Sequence, residues 1–106
     1  MAIVDVDREA LKRGLADGDL LVIDVREPNE FAAGHIPGSV SFPLSAFDLN
    51  ALRDLVARDG RRPVLSCAAG VRSARALEFA QVNGLDLAEH YPGGFKDWCG
   101  AGEPVA

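Results

Sequence analysis

The sequence predicts an α/β class domain, with a mainly parallel central sheet flanked by helices on both faces. Three observations carry this. Short apolar runs alternate with stretches of helical periodicity along the chain. The runs at 20–23 and 63–65 are apolar on successive residues, as in strands buried on both faces of a parallel sheet. The chain has 106 residues and 48% hydrophobic content. That is enough for one modest core and too little for two domains of ordinary size, so 1–106 reads as one domain.

The elements follow in order. Asp7 is placed to cap a helix over 8–15, with Gly14 and Gly18 near its end. Residues 20–25 form a buried strand closed by Asp24 and Arg26. A short helix over 27–31 carries Pro28 in its first turn. Gly34-His35-Ile36-Pro37-Gly38 is a turn, and 40–42 a short strand stopped by Pro43. Ser45 caps the next helix, whose inner side carries Leu49, Leu52, Leu55 and Val56. Residues 64–66 form the strand that delivers Cys67. A helix over 72–82 has the apolar stripe Ala76, Leu77, Phe79 and Ala80, and Asn83-Gly84 ends it. A last strand over 87–90 and a closing helix over 95–98 complete the chain.

Composition excludes several roles. There is no linker, repeat or low-complexity tract, and Leu20-Leu21-Val22-Ile23 is far too short to span a bilayer. No secretory signal is visible at the start, so the cytosol is the expected compartment. Two cysteines there are expected to be free thiols. A net charge of −5 argues against nucleic acid or an anionic membrane as partner. A small anionic substrate must then be captured by a local positive site.

The segment Ser66-Cys67-Ala68-Ala69-Gly70-Val71-Arg72-Ser73 supplies such a site. It places a thiol after a strand, among backbone N–H groups that open a helix. The first anion such a ring favours is the thiolate itself. A free thiol has a pKa of about 8.5, and a helix N-terminus with a nearby arginine lowers it. Gly70 lets the backbone turn, while Ala68 and Ala69 keep the pocket open. Asp24-Val25-Arg26 also falls at a strand end, and sites in parallel sheets form at the carboxyl ends of strands.

The neighbouring residues leave alternatives. Arg72 either contacts substrate or braces the loop through a carboxylate such as Asp24 or Glu30. Arg75 either adds positive field or is a solvated surface residue. Asp24 and Arg26 read as a structural pair, His35 as a hydrogen-bonding turn residue, and Trp98 as a packing anchor. Cys99 either exchanges sulfur or a disulfide with Cys67 or is an inert thiol. No His/Cys cluster has metal-ligand spacing, and no cofactor is expected.

Four pieces together resemble a single-domain rhodanese-like sulfurtransferase. They are Asp24-Val25-Arg26; Glu30-Phe31-Ala32-Ala33-Gly34-His35-Ile36-Pro37-Gly38-Ser39; Cys67-Ala68-Ala69-Gly70-Val71-Arg72-Ser73; and Gly93-Gly94-Phe95-Lys96-Asp97-Trp98 with Gly102-Glu103-Pro104-Val105. The resemblance implies transfer of a sulfane sulfur through a persulfide. Cys67 would be the catalytic nucleophile, and Ala68, Ala69, Gly70, Val71 and Arg72 would form the substrate-binding cradle. Donors would be a small sulfur-containing anion such as thiosulfate or a persulfide, and acceptors cyanide or a thiol. A protein sulfur donor or acceptor is a further partner class. From Cys67 through Arg72 the loop has six residues. Relatives acting on phosphate or arsenate typically have one more, so the length favours sulfur transfer over oxyanion chemistry. The alternative is a persulfide relay serving a partner protein, with little small-molecule turnover. A catalytically dead module is disfavoured because Cys67 and Arg72 are both present.

Overall fold

The computed structural model describes residues 2–106. Its elements are β1 (Val4–Asp5), α1 (Arg8–Ala16), β2 (Leu20–Asp24), α2 (Pro28–Ala33) and β3 (Val40–Ser41). After a 3₁₀ turn at Leu44–Ala46 come α3 (Leu49–Asp59), β4 (Arg62–Ser66), α4 (Val71–Val82), β5 (Glu89–Tyr91) and α5 (Gly94–Gly100). The five strands form one sheet in the order β1-β5-β4-β2-β3, with every neighbouring pair parallel.

Successive strand residues face opposite sides of a sheet, so an unbroken apolar strand must have cover on both. Leu21, Ile23, Val25 and Leu65 pack with Leu52 of α3 and Ala76 and Leu77 of α4. Leu20, Val22 and Val64 pack on the opposite side with Leu11 of α1 and Trp98 of α5. All five residues of β2 are buried. Central β4 holds its neighbours in register so that Ser66 lies beside Asp24 of β2 and Tyr91 of β5. The carboxyl ends of three strands thereby meet at one edge.

Several expectations change. Ser45 does not cap α3. Asp48 does, its side chain accepting from Asn50 N at 2.9 Å and Ala51 N at 3.2 Å. Ser45 sits within the 3₁₀ turn and donates its hydroxyl to Glu27 Oε1. Phe79 lies outside the buried stripe of α4, half exposed, with its ring 6.2 Å from that of Phe47. The buried positions are Ser73, Ala76, Leu77 and Ala80, which share one face at three- and four-residue spacing. The first strand, β1, has no counterpart in the sequence reading. Both its residues are exposed, and it is held by backbone bonds, Val4 N to Ala88 O at 2.7 Å and Val6 N to His90 O at 2.9 Å. The Asp7 cap is as expected, accepting from Ala10 N at 2.8 Å. Among the described residues no helix is long and apolar enough to cross a membrane.

Candidate active site

Strand β4 ends at Ser66, and the chain then folds around the Cys67 sulfur before α4 begins. Cys67 is 1% exposed. Gly70 N donates to its Sγ at 3.0 Å, and Ser73 Oγ lies 3.6 Å away. Burial pushes the thiol up. Hydrogen bonds from the Ser73 hydroxyl and from the backbone N–H groups of Ser73, Ala69 and Gly70 pull it down, and the net position is below the ordinary thiol value.

The loop has this shape because two glycines allow it. Gly70 has φ of +89°, and a Cβ there would lie 2.7 Å from Pro92 O. Gly94 has φ of +67°, and a Cβ there would lie 2.5 Å from both Cys67 O and Ala68 O. The close approach lets the start of α5 take up the carbonyls of the loop. Phe95 N donates to Cys67 O at 2.8 Å, and Lys96 N to Ala68 O at 3.1 Å. With those carbonyls turned outward to α5, the amides of the loop are left to the sulfur side.

Arg72 braces the loop. Its guanidinium donates to both carboxylate oxygens of Glu30 on α2, at 2.6 and 3.1 Å. These hydrogen bonds hold the Glu30 carboxyl at about 2. Glu30 Oε1 also accepts from Glu27 N at 2.9 Å, closing the first turn of α2. Asp24 is engaged elsewhere. Arg26 Nε and Nη2 clamp its two oxygens at 3.0 and 2.7 Å, and both side chains are 5% exposed. Arg26 Nη2 also donates to Gly34 O at 2.8 Å, and the guanidinium lies 4.3 Å from the centre of the Phe95 ring. This knot ties the end of β2 to the turn after α2 and to α5.

The remaining sequence candidates make no side-chain hydrogen bond to the sulfur. Val71 and Arg75 are exposed on α4. His35 Nδ1 lies 2.9 Å from Phe31 O, and its ring stacks on Phe31 at 3.8 Å. Trp98 is buried, with Nε1 donating to Pro104 O. Both cysteines are free thiols, Cys67 buried and Cys99 exposed on α5. Among the described residues no group of His, Cys, Asp and Glu is placed to hold a metal ion.

The sequence reading gave no role to two buried polar residues, Ser73, 3.6 Å from the sulfur, and His90, which meets Ser73 at 2.8 Å. Ser73 had a signal, since it stands in line with the apolar face of α4. His90 had none, because its neighbours come from β1, β4 and α4.

The rhodanese-like domain family is matched over residues 7–101. The chain belongs to this family. As a rhodanese-like domain it is 37% identical over 99 residues to the Mus musculus thiosulfate sulfurtransferase/rhodanese-like domain-containing protein 3, covering 83% of this chain and 63% of that protein. It is 32% identical over 106 residues to the Saccharomyces cerevisiae thiosulfate:glutathione sulfurtransferase, covering 89% of this chain and 76% of that protein. The solved human single-domain sulfurtransferase superposes with a TM-score of 0.71 at 28% identity, over 91% of this chain and 95% of that one. The rhodanese-like domain spans about three fifths of the length of curated relatives such as the mouse protein.

Proposed function

We propose that residues 1–106 act as one domain that transfers a sulfane sulfur through a persulfide on Cys67. The observation that carries this reading is the loop around Cys67, with an amide on the sulfur and a thiol held below its ordinary value. Thiolate is the reactive form in attack on sulfane sulfur, and its fraction, nucleophilicity and access set the rate. With thiosulfate as donor, Cys67 Sγ attacks the outer sulfur. The bond between the two donor sulfurs breaks, its electron pair leaves with sulfite, and a Cys67 S–S bond forms. An acceptor thiolate or cyanide then attacks the terminal sulfur, and the Cys67 thiolate is released. The persulfide is itself an anion, so the same amides serve both halves of the cycle.

Ala68, Ala69, Gly70, Val71 and Arg72 form the cradle in this reading. Because Glu30 already engages Arg72, the backbone amides carry most of the anion recognition. The yeast relative's name pairs thiosulfate with a thiol, which supports that donor and acceptor class here. Intact-mass spectrometry before and after thiosulfate, then after cyanide, tests the proposal on wild type, Cys67→Ser and Cys99→Ser. The expected result is a gain of one sulfur that needs Cys67, survives loss of Cys99 and is removed by cyanide. A gain lost only in Cys99→Ser would overturn Cys67 as the nucleophile. No gain in wild type refutes transfer from thiosulfate, and a gain from a protein persulfide alone would then support the relay reading.

A further inference from the structure

Behind the Cys67 sulfur runs an unbroken line of polar groups that the amide cradle does not explain. Ser73 Oγ lies 3.6 Å from Cys67 Sγ and 2.8 Å from His90 Nδ1. His90 Nε2 lies 3.1 Å from Asp5 Oδ1. Ser73 is 0% and His90 5% exposed, whereas the Asp5 side chain is 72% exposed. The line therefore begins at the nucleophile, crosses α4, β5 and β1, and ends in solvent. Parallel pairing produces it, since Asp5 and His90 are register partners, and so are His90 and Leu65, two residues before Cys67.

Ser73 Oγ also lies 3.2 Å from Gly70 O, which competes for its hydrogen; with that hydrogen on the line, hydrogen-bond chemistry allows two proton arrangements. A carboxylate only accepts, so Nε2 carries the hydrogen toward Asp5. In a neutral imidazole Nδ1 then accepts from the Ser73 hydroxyl, and the Cys67 S–H donates to Ser73 Oγ. In the other arrangement both ring nitrogens donate. Nδ1–H points to Ser73 Oγ, and the Ser73 O–H points to a thiolate. The two differ by one proton moved along the line.

We propose that Ser73 passes the Cys67 proton to His90, and that Asp5 holds the resulting imidazolium. The S–H bond breaks as an O–H bond forms at Ser73. The original Ser73 proton moves to His90 Nδ1, no electrons are exchanged, and the product is a thiolate–imidazolium pair. Ser73 contacts the reacting sulfur, while His90 and Asp5 are positioning residues that act through it. The inference rests on Cys67 being the nucleophile and adds the group that receives its proton. Other charged groups around the line are Glu89 beside His90, engaged by Arg62 of β4, and Arg72 near Cys67 with its partner Glu30.

The test is the pH dependence of iodoacetamide alkylation at Cys67, followed by mass spectrometry in the Cys99→Ser protein so that one thiol reports. It needs no sulfur donor, so a failure of the persulfide reading would appear in the thiosulfate experiment and a failure of the relay in this one. Ser73→Ala removes the bridge. His90→Asn keeps a hydrogen-bonding group near Nδ1 but cannot hold the proton. Asp5→Asn changes only an exposed side chain on an edge strand, so it reports even if the buried variants fold poorly. The alkylation midpoint is expected to rise by about one pH unit in Ser73→Ala and His90→Asn and by less in Asp5→Asn. The Ser73→Ala/His90→Asn double variant is expected to rise no further than either single. A wild-type midpoint in folded His90→Asn or in Asp5→Asn would overturn the proposal, as would full additivity in the double variant.

Discussion

Replacing Glu30 by glutamine removes the carboxylate that holds Arg72 while keeping the size and most of the hydrogen-bonding shape of the side chain. In the wild type the Arg72 hydrogen bonds hold that carboxyl at about 2, against an ordinary value of 4.5. At ~1.4 kcal/mol per pH unit this bounds its contribution to stability at about 3.5 kcal/mol. Both side chains are 32% exposed. Solvent screening reduces the expected loss at neutral pH to about 1–2 kcal/mol. The sign in pH follows from the lowered value. The contribution is complete above 4.5 and is lost as pH falls toward about 2, so wild type and Glu30→Gln should converge there. Urea unfolding at a series of pH values, read by far-ultraviolet circular dichroism and by the fluorescence of the single tryptophan, measures this. The same variant frees Arg72 and removes a negative charge beside the loop, so the KM for thiosulfate should fall while stability falls. A stability difference that persists unchanged in acid would refute the ion-pair argument. An unchanged or higher KM would refute the view that Glu30 neutralises Arg72 toward an anionic donor.

Two further outcomes follow from the loop and its surroundings. Gly70→Ala places a Cβ 2.7 Å from Pro92 O at a φ of +89°. A non-glycine residue in that region costs about 1–3 kcal/mol, and urea unfolding with Cys67 alkylation rates should show both lower stability and a slower thiol; wild-type values for both would refute it. Tyr91, the single tyrosine, is buried and donates its hydroxyl to Asp97. Burial first, then the Asp97 carboxylate, push the phenol well above its ordinary value of 10.0. A raised value means stability is complete below that pH and declines above it, so phenolate absorbance should rise only together with unfolding. Titration of the phenol at its ordinary value in the still-folded protein would contradict this.

The sheet was legible because β2 and β4 carry consecutive apolar residues at 20–23 and 63–65, which leaves a two-sided strand as the reading. The Cys67 loop was legible because a thiol, small residues, a glycine and an arginine stand together in the chain. What escaped depends on neighbours distant in sequence. β1 is two exposed residues whose only reason to be extended is the edge of β5. Asp48 outcompetes Ser45 as a cap because the chain first makes a 3₁₀ turn, which local propensity does not reveal. Whether Arg72 would meet Asp24 or Glu30 was open in the sequence. It was decided by Arg26, which occupies both oxygens of Asp24 and leaves Glu30 free to turn toward α4.

The amides of Phe95 and Lys96 take the carbonyls of Cys67 and Ala68. Those two segments are separated by a helix and a strand, and a ribosome releases the cysteine well before the residues that clamp it. Until α5 has docked, the carbonyls of Cys67 and Ala68 lack these two donors, and the loop lacks the close approach that Gly94 permits. The complete loop is therefore assembled only once α5 has been made, after Cys67 itself.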